Sequence, residues 1–162
     1  MLDFLHQDGF LGTAGNFAAD MTLVIMILGA SIFTYGAWVM IKHDDFDRHK
    51  MIQTIGAVVN IIMVLWMMVL PFRDFVVADK GGPRLPIFYQ ITTLHALFGT
   101  MGVLFGWFVV LRGHGWVPKA LQFSNWKLYM RIAYSLYMIA TILGVIVYII
   151  WFVVVPNPPV FK

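Results

Sequence analysis

Four apolar runs leave this chain little choice of fold. They cover Met21–Ile41, His49–Leu70, Ile87–Leu111 and Leu128–Val155, each close to or above the roughly 20 residues an α-helix needs to cross a bilayer. Only 12% of the 162 residues are charged, against about 25% in a water-soluble domain, so the runs are too apolar to be shielded in one soluble core. In lipid each backbone N–H and C=O must be satisfied internally, which a helix does within its own segment. The expectation is an all-α integral membrane protein, a four-transmembrane-helix bundle. An interfacial N-terminal segment (residues 1–20) precedes the membrane domain (21–155), and a short tail (156–162) follows it.

Local signals set the expected ends. Asp20 is a candidate N-cap for the first span. Pro71 is expected to close the second, Pro86 to open the third at a first-turn position, and Pro156 to end the fourth. Lys42, Arg48, Lys50, Arg112, Lys119, Lys127 and Arg131 lie in or beside the first and third connections, and Arg73, Lys80, Arg84 and Lys162 lie on the other side. That excess places the first and third connections in the cytoplasm and both termini on the external side. Trp38, Trp66, Trp107 and Trp151 fall near span ends, as an aromatic belt requires. Residues 1–19 contain no Lys or Arg, so they lack the basic start of a secretory signal. Phe4, Leu5, Phe10, Leu11 and Phe17 make that segment adhesive toward a membrane surface or a partner subunit. The turn-rich second connection, Phe72 to Pro86, is a candidate external binding surface. A net charge of +3 bears on orientation and gives no reason to expect a nucleic-acid partner. The absence of cysteine excludes disulfides and thiolate metal sites formed by this chain.

Inside the spans, polar residues fall on single helical faces. His95 sits roughly 13 Å along the third helix, on nearly the same face as Gly99, Gly102 and Gly106. That face suits close packing by another helix beside one ionisable group. Such a group is either a functional site or a hydrogen bond that holds the bundle together. In the second span His49, Gln53, Gly56 and Asn60 share a face that continues into Met63 and Met67, and helix–helix hydrogen bonding is its simpler reading. In the fourth, Tyr134, Tyr137, Thr141, Gly144 and Tyr148 form a third interior seam. Depth along the helices brings Arg73, His95 and Tyr148 toward one external-side pocket, with Tyr148 level with His95. His49 lies at the cytoplasmic end, over roughly 10 Å away in depth, so it and His95 are poor partners for one metal, whose two nitrogen ligands must lie within about 4 Å of each other. His43, His49 and His114 share the cytoplasmic side, but His43 sits in the acidic stretch KHDDFDRHK, which reads as a solvated turn. The eleven methionines read as core gap-fillers rather than as a copper site. No phosphate-binding glycine loop, nucleophile elbow or metalloprotease motif is present.

Several of these segments occur together in a familiar order. They are the His49-Lys50 pair opening a span, Arg73 after it, the Gly81-Gly82-Pro83 turn, YQITTLHALFGTMGVLFG around His95, and TILGVIVY from Thr141 to Tyr148. From about Lys42 to Val155 the chain resembles the small four-helix membrane proteins of the domain of unknown function 420 family, which includes CtaM-like cytochrome oxidase assembly proteins. The resemblance implies a non-enzymatic protein of a prokaryotic cell membrane that assists assembly or stability of a haem–copper cytochrome oxidase. It implies oxidase subunits as partners, alongside membrane lipid, and transient contact with haem or copper. Carried over position by position, the cofactor- or partner-binding candidates are His95, Arg73, Tyr148 and His49. One departure stands out: where the family pattern leads to expect a histidine before the last span, this chain has Asn125-Trp126-Lys127. A stable small accessory subunit of a respiratory or photosynthetic complex is the alternative, and a b-type cytochrome or quinone-site protein a further one.

Overall fold

The computed structural model describes residues 7–78 and 85–155. Four helices account for nearly all of it: α1 (Phe17–His43), α2 (Phe46–Val77), α3 (Pro86–Gly113) and α4 (Trp126–Val154), each long and apolar enough to cross a membrane. The protein is an all-α membrane bundle, and no strand occurs among the described residues; one isolated bridge pairs Asp8 with Asn16. Ile27, Leu28, Ile55, Ile62, Leu65, Leu97, Leu104 and Ile142 stand exposed along the outside. Such side chains would be a liability in water and suit contact with lipid tails.

The spans run further than hydropathy alone indicates, because capping groups lie outside the apolar runs. Helix α1 is capped by Asn16, whose side chain accepts from Ala19 N at 2.9 Å. Asp20 is therefore not the cap; it sits one turn inside and is fully buried. The acidic stretch between α1 and α2 is an exposed two-residue turn. Asp44 closes α1 in the left-handed region at φ 50, and Asp45 caps α2 by accepting from Arg48 N at 3.0 Å. Asn125 caps α4 by accepting from Leu128 N at 3.2 Å. That capping bond gives Asn125 a structural role. Pro86 occupies the first turn of α3, as expected.

Pro71 does not end the second span. Helix α2 continues to Val77 by passing through two π-helical segments, Val64–Met68 and Phe72–Val77, on either side of Val69–Pro71. A proline inside a helix removes one donor and crowds the preceding turn, and locally widened turns absorb both effects. Pro156, Lys80, Arg84 and the Gly81-Gly82-Pro83 turn, like Phe4, Leu5 and Lys162, lie outside the described residues.

Packing is uneven. Helices α3 and α4 pack against each other along much of their length, and α1 and α2 form a second hairpin. The hairpins touch less extensively, through α1–α4 and α2–α3. The tightest core lies at the end of the bundle where α1 begins and α4 ends. There Phe75, Phe88, Tyr148, Trp151, Phe152 and Val155 are all buried. Trp151 stacks on Phe88 with ring centroids 4.5 Å apart and donates to Thr92 Oγ1 at 2.8 Å. It is thus a core residue and not part of an aromatic belt, whereas Trp38 and Trp66 are exposed. Trp151→Phe removes the indole donor and part of the stack, and is expected to cost about 1.5 kcal/mol, or about 4 °C in the unfolding midpoint measured in detergent.

Residues 7–16 do not spread away from the bundle. They form a strap across the same end: Ala14 N donates to Phe152 O at 3.1 Å, Phe17 N to Gln7 O at 2.8 Å, and Gly9 N to Gly15 O at 3.0 Å. Gly9 is needed for this closure, since a Cβ there would run into the Asp20 carboxylate and the Gly15 carbonyl.

Candidate functional site

The gap between the two hairpins is a cavity of about 670 Å³, lined by α1, α2, α3 and α4. His95, Arg73 and Tyr148 all line it, so the three residues expected to meet do share one space. Their roles differ, however. The His95 ring is half-buried, and its Nδ1 lies 2.9 Å from Ala140 O. A carbonyl only accepts, so Nδ1 carries the proton, and in the neutral ring Nε2 keeps its lone pair. Arg73 sits exposed at the rim, paired with Asp74 at 2.8 Å. Tyr148 donates to Asp20 Oδ1 at 2.5 Å and lies 2.7 Å from Thr13 Oγ1. With its proton committed to the carboxylate, it accepts from the threonine. Its hydroxyl thus fastens the strap.

Depth explains part of this division. His95 lies beside Ala140 and Gly144 of α4, and Tyr148 is a further turn along, about 6 Å past Gly144. The two are not level. Asp20, read from the sequence only as a cap, is the buried acceptor of this cluster. It accepts from Tyr148 on one oxygen and from Leu11 N at 2.7 Å on the other. The available signal was its position as the sole acid within α1.

The glycine face of α3 is a close-packing seam at one point only. A Cβ on Gly102 would meet the α4 backbone at Leu136 and Tyr137 at 3.6 Å, while Gly99 and Gly106 have nothing within 4 Å. Gly99 opens onto the large cavity. Gly106 opens onto a smaller one of about 130 Å³ toward the opposite end of the bundle. Asn60, Gly102, Val103 and Tyr137 line both cavities and form the partition between them.

His49 belongs to the smaller cavity. It is buried, with Nδ1 2.7 Å from Gly36 O, so it ties α2 to α1. Gln53 repeats the tie one turn on, donating to Phe33 O at 3.1 Å. The polar stripe of α2 is therefore mostly interhelical glue, the simpler of the two readings. Asn60 reaches Tyr137 of α4 in the same way, although its Oδ1 is buried without a hydrogen-bond partner. His114 Nε2 bonds Thr54 Oγ1 at 2.9 Å, and His43 packs edge-on to Trp38, so these two do not join His49. Among the described residues no group of three or more His, Cys, Asp or Glu side chains is placed to hold a metal.

The fold and the site define a class: a four-helix membrane bundle whose two hairpins part to leave a lateral, largely apolar cavity with one pinned histidine. In comparisons with known proteins, no family model, curated protein or solved structure matches the chain.

Proposed function

We propose that this is a multi-pass protein of a prokaryotic cell membrane that assists assembly or stability of a haem–copper cytochrome oxidase, without catalysis of its own. The residue pattern shared with the domain of unknown function 420 family suggests the process. The observation that carries the reading to this chain is His95: its ring is fixed by Ala140 O, and its second nitrogen is left for a ligand at the wall of an open cavity. A group that hands on a cofactor needs few ligands and an open side, and this cavity offers both. Its donor set fits a haem iron or a copper ion, since a neutral imidazole with one N–H held by a carbonyl is a metal ligand in the proper tautomer. Arg73 at the rim suits an anionic edge such as a propionate, with Asp74 exchanged for it. Tyr148 supports the cavity from the strap, and His49 lies outside the site. The orientation that agrees with the basic residues puts the strap and Arg73 on the external side.

The test is oxidase content in cells lacking the chain and complemented with variants. A His95→Ala, Arg73→Ala double variant that reaches the membrane in normal amount is expected to leave oxidase activity and its haem absorption at the level of the deletion strain. Wild-type oxidase levels with that variant would overturn the role. Recovery of the chain in fixed stoichiometry with the mature oxidase would replace it with the accessory-subunit reading.

A further inference from the structure

Methionine in a core fills irregular gaps. Four methionines of this bundle instead line one. Met26 of α1 and Met63, Met67 and Met68 of α2 all border the large cavity with His95, and Met26 and Met63 are each only 5% exposed. Met26 and the histidine border the same glycine. A Cβ placed on Gly144 would lie 2.5 Å from Met26 Sδ and 2.9 Å from His95 Cε1, so the thioether and the imidazole edge meet over the same glycine. Cε1 lies between the two ring nitrogens, one bond from Nε2, which the hydrogen bond of Nδ1 to Ala140 leaves unprotonated.

The donor chemistry is selective. Thioethers are soft and neutral, and a carbonyl-fixed imidazole is neutral and borderline; together they favour Cu(I) over the harder divalent ions. Among the described residues the only carboxylate on the cavity wall is Asp74, already engaged with Arg73. A site with no anionic ligand in a low-dielectric setting also favours a single positive charge over two. Zinc, calcium and magnesium sites draw on thiolates, several imidazoles or carboxylates, and no such cluster occurs among the described residues.

We propose that His95 Nε2 and Met26 Sδ bind a Cu(I) ion over Gly144, with Met63 or Met67 on the facing helix able to complete the shell. This deepens the cofactor-handling reading and rests on it only for the purpose the ion serves. Binding needs no redox step, because the ion enters reduced and both ligands are neutral.

The experiment is an anaerobic titration of the purified full chain in detergent with Cu(I), in competition with a chromophoric Cu(I) chelator, followed by X-ray absorption of the loaded protein. One ion per chain is expected, with both sulfur and nitrogen neighbours. Met26→Leu, which keeps the side-chain volume, is expected to weaken binding at least tenfold and to lower the sulfur scattering. His95→Gln should weaken it at least as much and remove nitrogen scattering. Met101→Leu, on the exposed side of α3 and away from the cavity, should change neither. Failure to compete with the chelator, or binding that survives both Met26→Leu and His95→Gln, overturns the site. Should the chain take up no Cu(I) yet still support oxidase content in cells, the site falls and the assembly reading stands. Should it bind Cu(I) while its deletion leaves oxidase content unchanged, the reverse holds.

Discussion

Replacing Asp20 by leucine is expected to lower the unfolding midpoint in detergent by about 10 °C. The carboxylate is fully buried, and each oxygen accepts one bond, from Tyr148 Oη at 2.5 Å and from Leu11 N at 2.7 Å. Leucine removes both acceptors, strands the Leu11 N–H of the strap and leaves the Tyr148 hydroxyl only Thr13, at about 3 kcal/mol for the pair. Asp20→Asn keeps one carbonyl-type acceptor and should fall about midway. Tryptophan fluorescence reports the transition, since Trp151 sits beside Phe152 in the same core. Limited proteolysis gives a second readout: with the strap unfastened, cleavage within residues 7–16 should appear well below the global midpoint. An Asp20→Leu protein with an unchanged midpoint and an uncut strap would show that the buried cluster contributes nothing net.

The second large effect is expected at Gly144. The first carbon of any side chain there would lie 2.5 Å from Met26 Sδ, 3.0 Å from Met26 Cε and 2.9 Å from His95 Cε1. Met26 is a flexible side chain and can swing away from a single methyl, but the His95 ring 2.9 Å away must shift as well, so Gly144→Ala should cost about 2 kcal/mol. Valine adds two more carbons against a ring that its bond to Ala140 O holds in place. Gly144→Val should therefore cost about 3 kcal/mol, and should break the His95–Ala140 bond as α4 is pushed from α1 and α3. The imidazole NMR signal of His95, followed beside the unfolding midpoint, separates the two outcomes. A valine variant with an unperturbed ring would mean that α4 shifts as a rigid body.

How far the sequence could be read follows from what each residue answers to. The four spans answer to hydropathy alone and were legible. Their ends answer to caps, and there the same rule fitted two residues: Asn16 and Asp20 are both good N-caps, and the apolar Phe17-Ala18-Ala19 between them is compatible with either start. Pro71 obeyed a rule for helices of ordinary pitch, and α2 is not of ordinary pitch on either side of it. Trp151 lies near a span end, as a belt residue does, but a buried hydroxyl at Thr92 captures its N–H. His95 stood out because an ionisable group in an apolar run is conspicuous. Its partner, the carbonyl of Ala140, is invisible to side-chain reasoning, because every residue has one. Gly99, Gly102 and Gly106 have the same spacing whether a glycine admits a neighbouring helix or leaves a space. Only the placement of α4 tells these apart, admitting contact at Gly102 alone.

The strap has a bearing on how the chain is made. Asp20 is separated from Tyr148 by 128 positions and from Leu11 by nine, so its two partners are synthesised at opposite ends of the process. While α2 and α3 are entering the bilayer, the carboxylate of α1 has no phenol to meet, and a lone acid near the lipid boundary disfavours deep insertion of its helix. Only when α4 arrives does α1 gain the contact that lets its first turn settle. The carboxylate thus couples the seating of α1 to the delivery of α4.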